Sequence, residues 1–258
     1  MTRALTLSVA LLLGLLIGGC HGGESAAMAP ASASAAPRPA TSAAAKKPAP
    51  GKTAWRMRAK KRIAITIDDG PALTYVLRAM AAAERHGGRI TFFVTGRWAS
   101  RDAQIVRLMQ QHGHLVGNHT WDHVDLAKCA DAKVRDQLKR TSDLIAKQGG
   151  TRPVFYRPPY GAHNARVDKI ASDLGMKVIL WDVDPQDWDV HHSADRTVNY
   201  VLSHARPDEV ILLHEVHHTY TVLERIFDGL HKQGFTCVRL DELPRHPRSA
   251  PRGVKAGA

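Results

Sequence analysis

The sequence predicts an α/β fold, a distorted (β/α) barrel of about seven parallel strands. Three observations carry that prediction. Short apolar β-rich runs alternate with longer helical patterns, which is how a parallel sheet covered on its outside reads. The runs number seven and none leads into the glycine-rich phosphate fingerprint of a dinucleotide fold. Polar residues cluster where five of the runs end, and a parallel barrel gathers its strand carboxyl ends on one face, where active sites form.

The segments before the barrel have their own logic. Arg3 precedes an almost unbroken apolar run over residues 4–17, then Gly18, Gly19 and Cys20. A positive start, an apolar core and small residues make an export signal, and the cysteine directly after them resembles a bacterial lipoprotein acylation site. Residues 1–20 are therefore expected to be a lipoprotein signal peptide, with Cys20 carrying the lipid that holds the protein at a membrane facing the periplasm or cell exterior. Acyl chains contribute about 0.8 kcal/mol per buried CH₂, and no other apolar stretch is long enough to span. Residues 21–61 are mostly Ala, Pro, Ser, Gly and Lys, too poor in large apolar side chains to offset their ordering entropy, so they form a disordered linker.

Residues 62–244 hold the barrel. The strands are expected at 63–67, 90–95, 114–117, 154–156, 177–183, 209–213 and 235–240. The helices between them fall at 72–85, 103–112, 132–147, 165–174, 194–204 and 221–232. Within 165–174, Val167, Ile170, Ala171 and Leu174 recur at helical spacing. Residues 245–258 are a basic, flexible tail. The formal charge of +12 belongs to the flanks: residues 1–62 carry +9 and the tail +4, leaving the fold near −1. A nucleic-acid protein carries its basic residues on the fold itself, so nucleic acid is excluded as a partner, and the chain is expected to act as a monomer. Cys129 and Cys237 lack metal-finger spacing, and nothing in the sequence brings them together.

The strand ends carry the chemistry. Asp68 and Asp69 follow the first strand. His119 and His123, four residues apart, would share one face of a helical turn after the third. Two histidines and a carboxylate with an open position are the donor set of a catalytic metal, and the second aspartate is left free to act as a base. Further clusters, at residues 157–160, 182–188 and 214, end the fourth, fifth and sixth strands.

Five motifs in order then resemble the polysaccharide deacetylases, carbohydrate esterase family 4: TIDDG at 66–70, HTWDH at 119–123, RPPY at 157–160, DPQDW at 184–188 and LLH at 212–214. The resemblance covers residues 62–243 and implies hydrolysis of an N-acetyl group from an N-acetylglucosamine polymer or oligosaccharide of the cell envelope. It implies that Asp69, His119 and His123 hold a divalent metal, zinc by donor type, with cobalt, nickel and manganese as alternatives. It makes Asp68 the general base, with Arg157 orienting it and lowering its pKa, and His214 the general acid, with Asp187 raising its pKa in competition with Asp182 or Asp184. The backbone N–H of Tyr160, presented by a loop that Pro159 fixes, would stabilise the oxyanion, and Trp188 and Leu212 would line the acetyl pocket. Ile67 stands where an aromatic is usual and Glu215 where aspartate is common; neither is a catalytic position. His191, His192, His217 and His218 receive no role. The same scaffold could instead serve O-acetyl esters or a small amide, or persist as an idle glycan-binding lipoprotein.

Overall fold

The computed structural model of the chain describes residues 61–70, 72–216 and 219–244. Cys20, the signal peptide, the linker up to residue 60, the tail, His217 and His218 lie outside the described residues.

The chain runs β1 (Lys61–Asp69), α1 (Leu73–Arg85), β2 (Ile90–Val94), a short α2 (Gly96–Ala99), α3 (Ile105–Gln111), β3 (Leu115–Asn118) and α4 (Asp131–Gly149). It continues through β4 (Phe155–Tyr156), α5 (Ala165–Asp173), β5 (Lys177–Val178), α6 (Ala194–His204), β6 (Val210–His214), α7 (Thr219–Lys232) and β7 (Phe235–Cys237). Every strand pairing is parallel, in the order β5-β4-β3-β2-β1-β6, with β7 paired to the first residues of β1. Beyond β5 the chain reaches Val183, which bridges Ile211 of β6. The N–H groups of Asp182 and Val183 both donate to Val210 O. The expected strand at 177–183 is therefore regular only at its start. Its beginning pairs with β4 and its end with β6, and the bend between partners interrupts the ladder while curling the sheet into a distorted barrel. The expected seventh strand likewise stops at Cys237, and residues 240–242 turn into a 3₁₀ helix.

Strand alternation sorts side chains into two layers. Ile63, Ile65 and Ile67 of β1 face outward into a cluster with Val76 and Met80 of α1 and Leu223, Ile226 and Phe227 of α7. Ala64 faces inward with Phe93, Phe155, Leu180, Trp181 and Leu212. Burying each such large apolar side chain is worth about 1.5–3 kcal/mol, so the register of β1 is strongly fixed. That register puts Thr66 and Asp68, in step with Ala64, on the inner face at the carboxyl end. Asn164 and Ser193 cap α5 and α6, accepting from Val167 N and Arg196 N. Cys129 and Cys237 are both free thiols.

Candidate active site

The first motif breaks strand alternation where the chemistry needs it. Neighbours on a strand point to opposite faces, yet Asp68 and Asp69 both approach His119: its Nε2 lies 3.8 Å from Asp68 Oδ2 and 3.7 Å from Asp69 Oδ1. The cause is a left-handed backbone at Asp69, with φ 79°, which turns its carboxylate back toward the inner side. Gly70 follows without a side chain because a Cβ there would collide with the Glu215 carboxylate. Both oxygens of Glu215 accept from Ala72 N at 3.0 Å. Burial pushes the Glu215 carboxyl up to about 7.

His119 and His123 do not lie on a helical turn. They occupy an irregular loop in which Thr120 and His123 have φ of 65° and 56°. Neighbouring polar side chains shape it. Asn118 accepts from Thr120 N at 2.8 Å and donates to Leu138 O and Ser142 Oγ of α4. Gln137 accepts from the N–H groups of Trp121 and Asp122, and Thr120 Oγ1 accepts from His123 N at 3.0 Å. Polar side chains thus take the backbone donors, and the rings converge without helical geometry. Asp69 Oδ1 lies 3.3 Å from His123 Nε2, and one donor atom each from Asp69, His119 and His123 falls within 4.8 Å of the others. His119 Nδ1 is bonded to Arg157 O at 2.8 Å. A proton on Nδ1 satisfies that bond and leaves the Nε2 lone pair facing the trio. Burial drives His119 down to about 3 against the pull of Asp69, so the ring is neutral, as a metal ligand must be. The donor set fits a divalent cation.

Arg157 is fully buried. Its Nη1 donates to Asp68 Oδ1 at 2.8 Å and to Thr66 Oγ1 at 2.7 Å, and its Nη2 to Leu180 O at 3.0 Å. The guanidinium lies 4.3 Å from the Phe93 ring centroid. Arg157 lowers the Asp68 pKa by its charge and its hydrogen bond, as expected, but it does not set the net shift. Burial raises it, and that outweighs the opposing pull of Arg157, His214 and His123.

Across the cleft, His214 ends β6. Its Nδ1 meets Asp187 Oδ1 at 2.9 Å, and its N–H donates to Asp187 Oδ2 at 2.8 Å. Asp182 instead accepts from Val210 N, and Asp184 from Gln186 N. Burial alone would depress the His214 imidazolium. The hydrogen bond and charge of Asp187, with Asp68 and Asp69 beyond, outweigh it and raise the group to about 9.

A cleft of about 530 Å³ joins these groups, lined by Asp68, Asp69, His119, His123, Tyr160, Trp188, Leu212 and His214, with Asp184 on its wall. Pro158 lines it as well, whereas Pro159 is buried at the start of a 3₁₀ turn. That turn holds Tyr160 at φ 60°, where its N–H has no backbone acceptor among the described residues. The exposed Tyr160 ring packs edge-on to His123 at 4.9 Å. Leu212 serves both the cleft and the inner core, and Trp188 is half exposed. His191 and His192 lie outside the cleft lining. Thr66 and Gln137 were not foreseen as site supports. Thr66 shares the inner face of β1 with Asp68, and Gln137 lies on the buried face of α4 among Thr141, Ser142 and Gln148.

The curled parallel barrel gathers at one mouth a trio of donors that could hold a metal ion, a buried carboxylate and an Asp-paired histidine. The polysaccharide deacetylase family model matches residues 56–179, and the chain belongs to the polysaccharide deacetylase family. Among its relatives, a peptidoglycan-N-acetylglucosamine deacetylase of Bacillus cereus is 31% identical over 76% of this chain and 94% of its own. The peptidoglycan-N-acetylglucosamine deacetylase PgdA of Listeria monocytogenes is 34% identical over 73% of this chain, which spans 40% of that relative's length. A solved family 4 pseudoenzyme from Bacillus anthracis superposes with a TM-score of 0.68 at 28% identity, covering 72% of this chain and 66% of its own.

Proposed function

We propose that the protein hydrolyses the N-acetyl group of an N-acetylglucosamine-containing glycan of the cell envelope, in a metal-dependent reaction. The observation that carries this reading is the arrangement around one cleft of a carboxylate base, a charged histidine and a three-donor metal trio. Asp69, His119 and His123 would hold the ion, zinc by donor type. Once bound, it supplies a Lewis acid that polarises the acetyl carbonyl and activates the attacking water.

The chain's own residues do the rest. Asp68, fixed by Arg157, takes the proton of the water as its oxygen bonds to the carbonyl carbon. The Tyr160 N–H donates to the oxygen that gains charge. His214, held protonated by Asp187, passes its proton to the sugar nitrogen as the C–N bond breaks, releasing acetate and a free amine. Leu212 and Trp188 wall the methyl group. The Bacillus anthracis neighbour indicates that the fold can persist without activity, but here the base and the acid both have their bonded partners. No helix among the described residues is long and apolar enough to cross a membrane. Attachment through lipid on Cys20, with the domain acting outside the cytoplasm as a monomer, completes the proposal.

Asp68→Asn should abolish acetate release while bound zinc, measured by elemental analysis, is retained; near-normal turnover would refute the base. Acetate release compared across chitooligosaccharides, peptidoglycan fragments, poly-N-acetylglucosamine and acetylated xylan identifies the substrate. Cys20→Ser should move the protein out of the membrane fraction, and unchanged fractionation would remove the anchor.

A further inference from the structure

The groups that hold the partner of His214 lie outside the catalytic cleft. Asp187 sits in a stretch, residues 184–193, that forms neither strand nor helix between β5 and α6. Its carboxylate is buried, and its two oxygens meet His214 at Nδ1 and at the backbone N–H. Immediately before it, Gln186 has a left-handed backbone with φ 55°, a conformation that a residue with a side chain holds only where its surroundings enforce it. A loop of this kind needs its backbone held from a neighbouring element.

That hold comes from α6. Arg196 Nη1 donates to Pro185 O at 2.6 Å and lies 2.8 Å from His192 Nδ1. The same Nδ1 lies 2.9 Å from Gln186 O, which also accepts from Asp189 N at 3.1 Å. With a proton on Nδ1 the ring donates to Gln186 O; without one it accepts from Arg196. In either tautomer the ring joins the clamp, and the two peptide groups that flank Gln186 stay tied. The base of the clamp is firm. Val198 and Val201 of α6 are buried in the outward-facing cluster, Ser193 caps the helix by accepting from Arg196 N, and the Arg196 guanidinium lies 5.8 Å from the Tyr200 ring centroid. A hydrogen bond from a charged guanidinium is roughly twice as strong as a neutral one, which suits an anchor for irregular backbone. Asp68 and Asp69 at the end of β1 and Asp184 in the loop also face His214, but of these four carboxylates Asp187 alone is bonded to the ring.

We propose that Arg196 and His192 form a clamp that holds Asp187 against His214, two positioning residues that act on the acid from outside the cleft. The inference rests on the deacetylase reading for the task of His214, but its first readout needs no turnover. The full-length, zinc-loaded protein is compared with Arg196→Ala, Arg196→Lys and His192→Ala. The titration of the His214 ring is followed by NMR, with the pH profile of acetate release and Tm measured in parallel. Loosening the Asp187 bond in Arg196→Ala should lower the His214 midpoint from about 9 by about one pH unit. The acid then loses its proton at lower pH, so the loss in kcat/KM should grow from less than about twofold near pH 7 to about tenfold near pH 10. His192→Ala should shift the midpoint less and in the same direction. Arg196→Lys, which still brings a cation to Pro185 O, should keep most of the original value. A midpoint unmoved in both alanine variants, or a loss of activity that is equal at every pH and follows Tm, overturns the clamp. A lowered midpoint in a protein that releases no acetate upholds the clamp and sinks the deacetylase reading alone.

Discussion

His119 and His214 are both set at the carboxyl ends of parallel strands, both shielded from water, and driven in opposite directions. Burial depresses each imidazolium. For His119 the Nδ1 partner is a neutral carbonyl, Arg157 O, and the ring falls to about 3. For His214 the Nδ1 partner is the Asp187 carboxylate, and the ring rises to about 9. Burial acts the same way on both rings, so the charge of the partners around each ring separates a neutral ligand from a charged acid.

Removing each ring in turn should show the difference most strongly. His119→Ala removes a ligand, and both bound zinc and acetate release should be lost. His214→Ala should cut turnover by about 10²–10⁴ with zinc content unchanged. Zinc loss in both variants, or in neither, would break the comparison. Asp187→Asn comes next. Asp187 holds the proton on His214, so removing its charge lowers the pKa of the folded state. The alkaline limb of kcat/KM, expected near 9, should therefore move to lower pH, with about a hundredfold loss at neutral pH. An unmoved limb would show that His214 is not the titrating acid. The acid limb reports Asp68, which must lose its proton to act. Burial raises Asp68, so this limb should lie above the ordinary carboxylate value of about 3.9.

What the sequence made legible followed from the alternation of strand and helix runs and from the order of the five motifs. The positions of Asp68, His119, Arg157 and His214 at strand ends need only the lengths of the apolar runs and the polar residues that close them. Whatever depended on closing the barrel was not legible. Arg157 beside Asp68 reads as a pKa-lowering partner and is one, but the burial that outweighs it exists only in three dimensions. His119 and His123 read as a helical pair, because nothing local reveals that Asn118, Gln137 and Thr120 will take the donors of that loop. A cleft beside the trio, lined by Trp98 of the four-residue α2 and by Trp121, escapes sequence reading for the same reason.

The smallest expected effect tests how the His119 side is supported. Thr66 Oγ1 accepts from Arg157 Nη1 at 2.7 Å and donates to Ile211 O at 2.7 Å, fully buried. Thr66→Val keeps the shape but leaves one guanidinium N–H and one carbonyl lone pair without that partner. An unmade buried hydrogen bond costs about 1–3 kcal/mol, and a domain of this size loses about 2–4 °C in Tm per kcal/mol. The bond from Arg157 to Asp68 remains, as does the carbonyl that holds His119, so zinc affinity should be unchanged and turnover should fall only a few-fold. If zinc affinity drops with Tm, the hydroxyl is part of the support of His119 rather than of Asp68, and the two histidine environments are coupled through Arg157 instead of being set independently by their own partners.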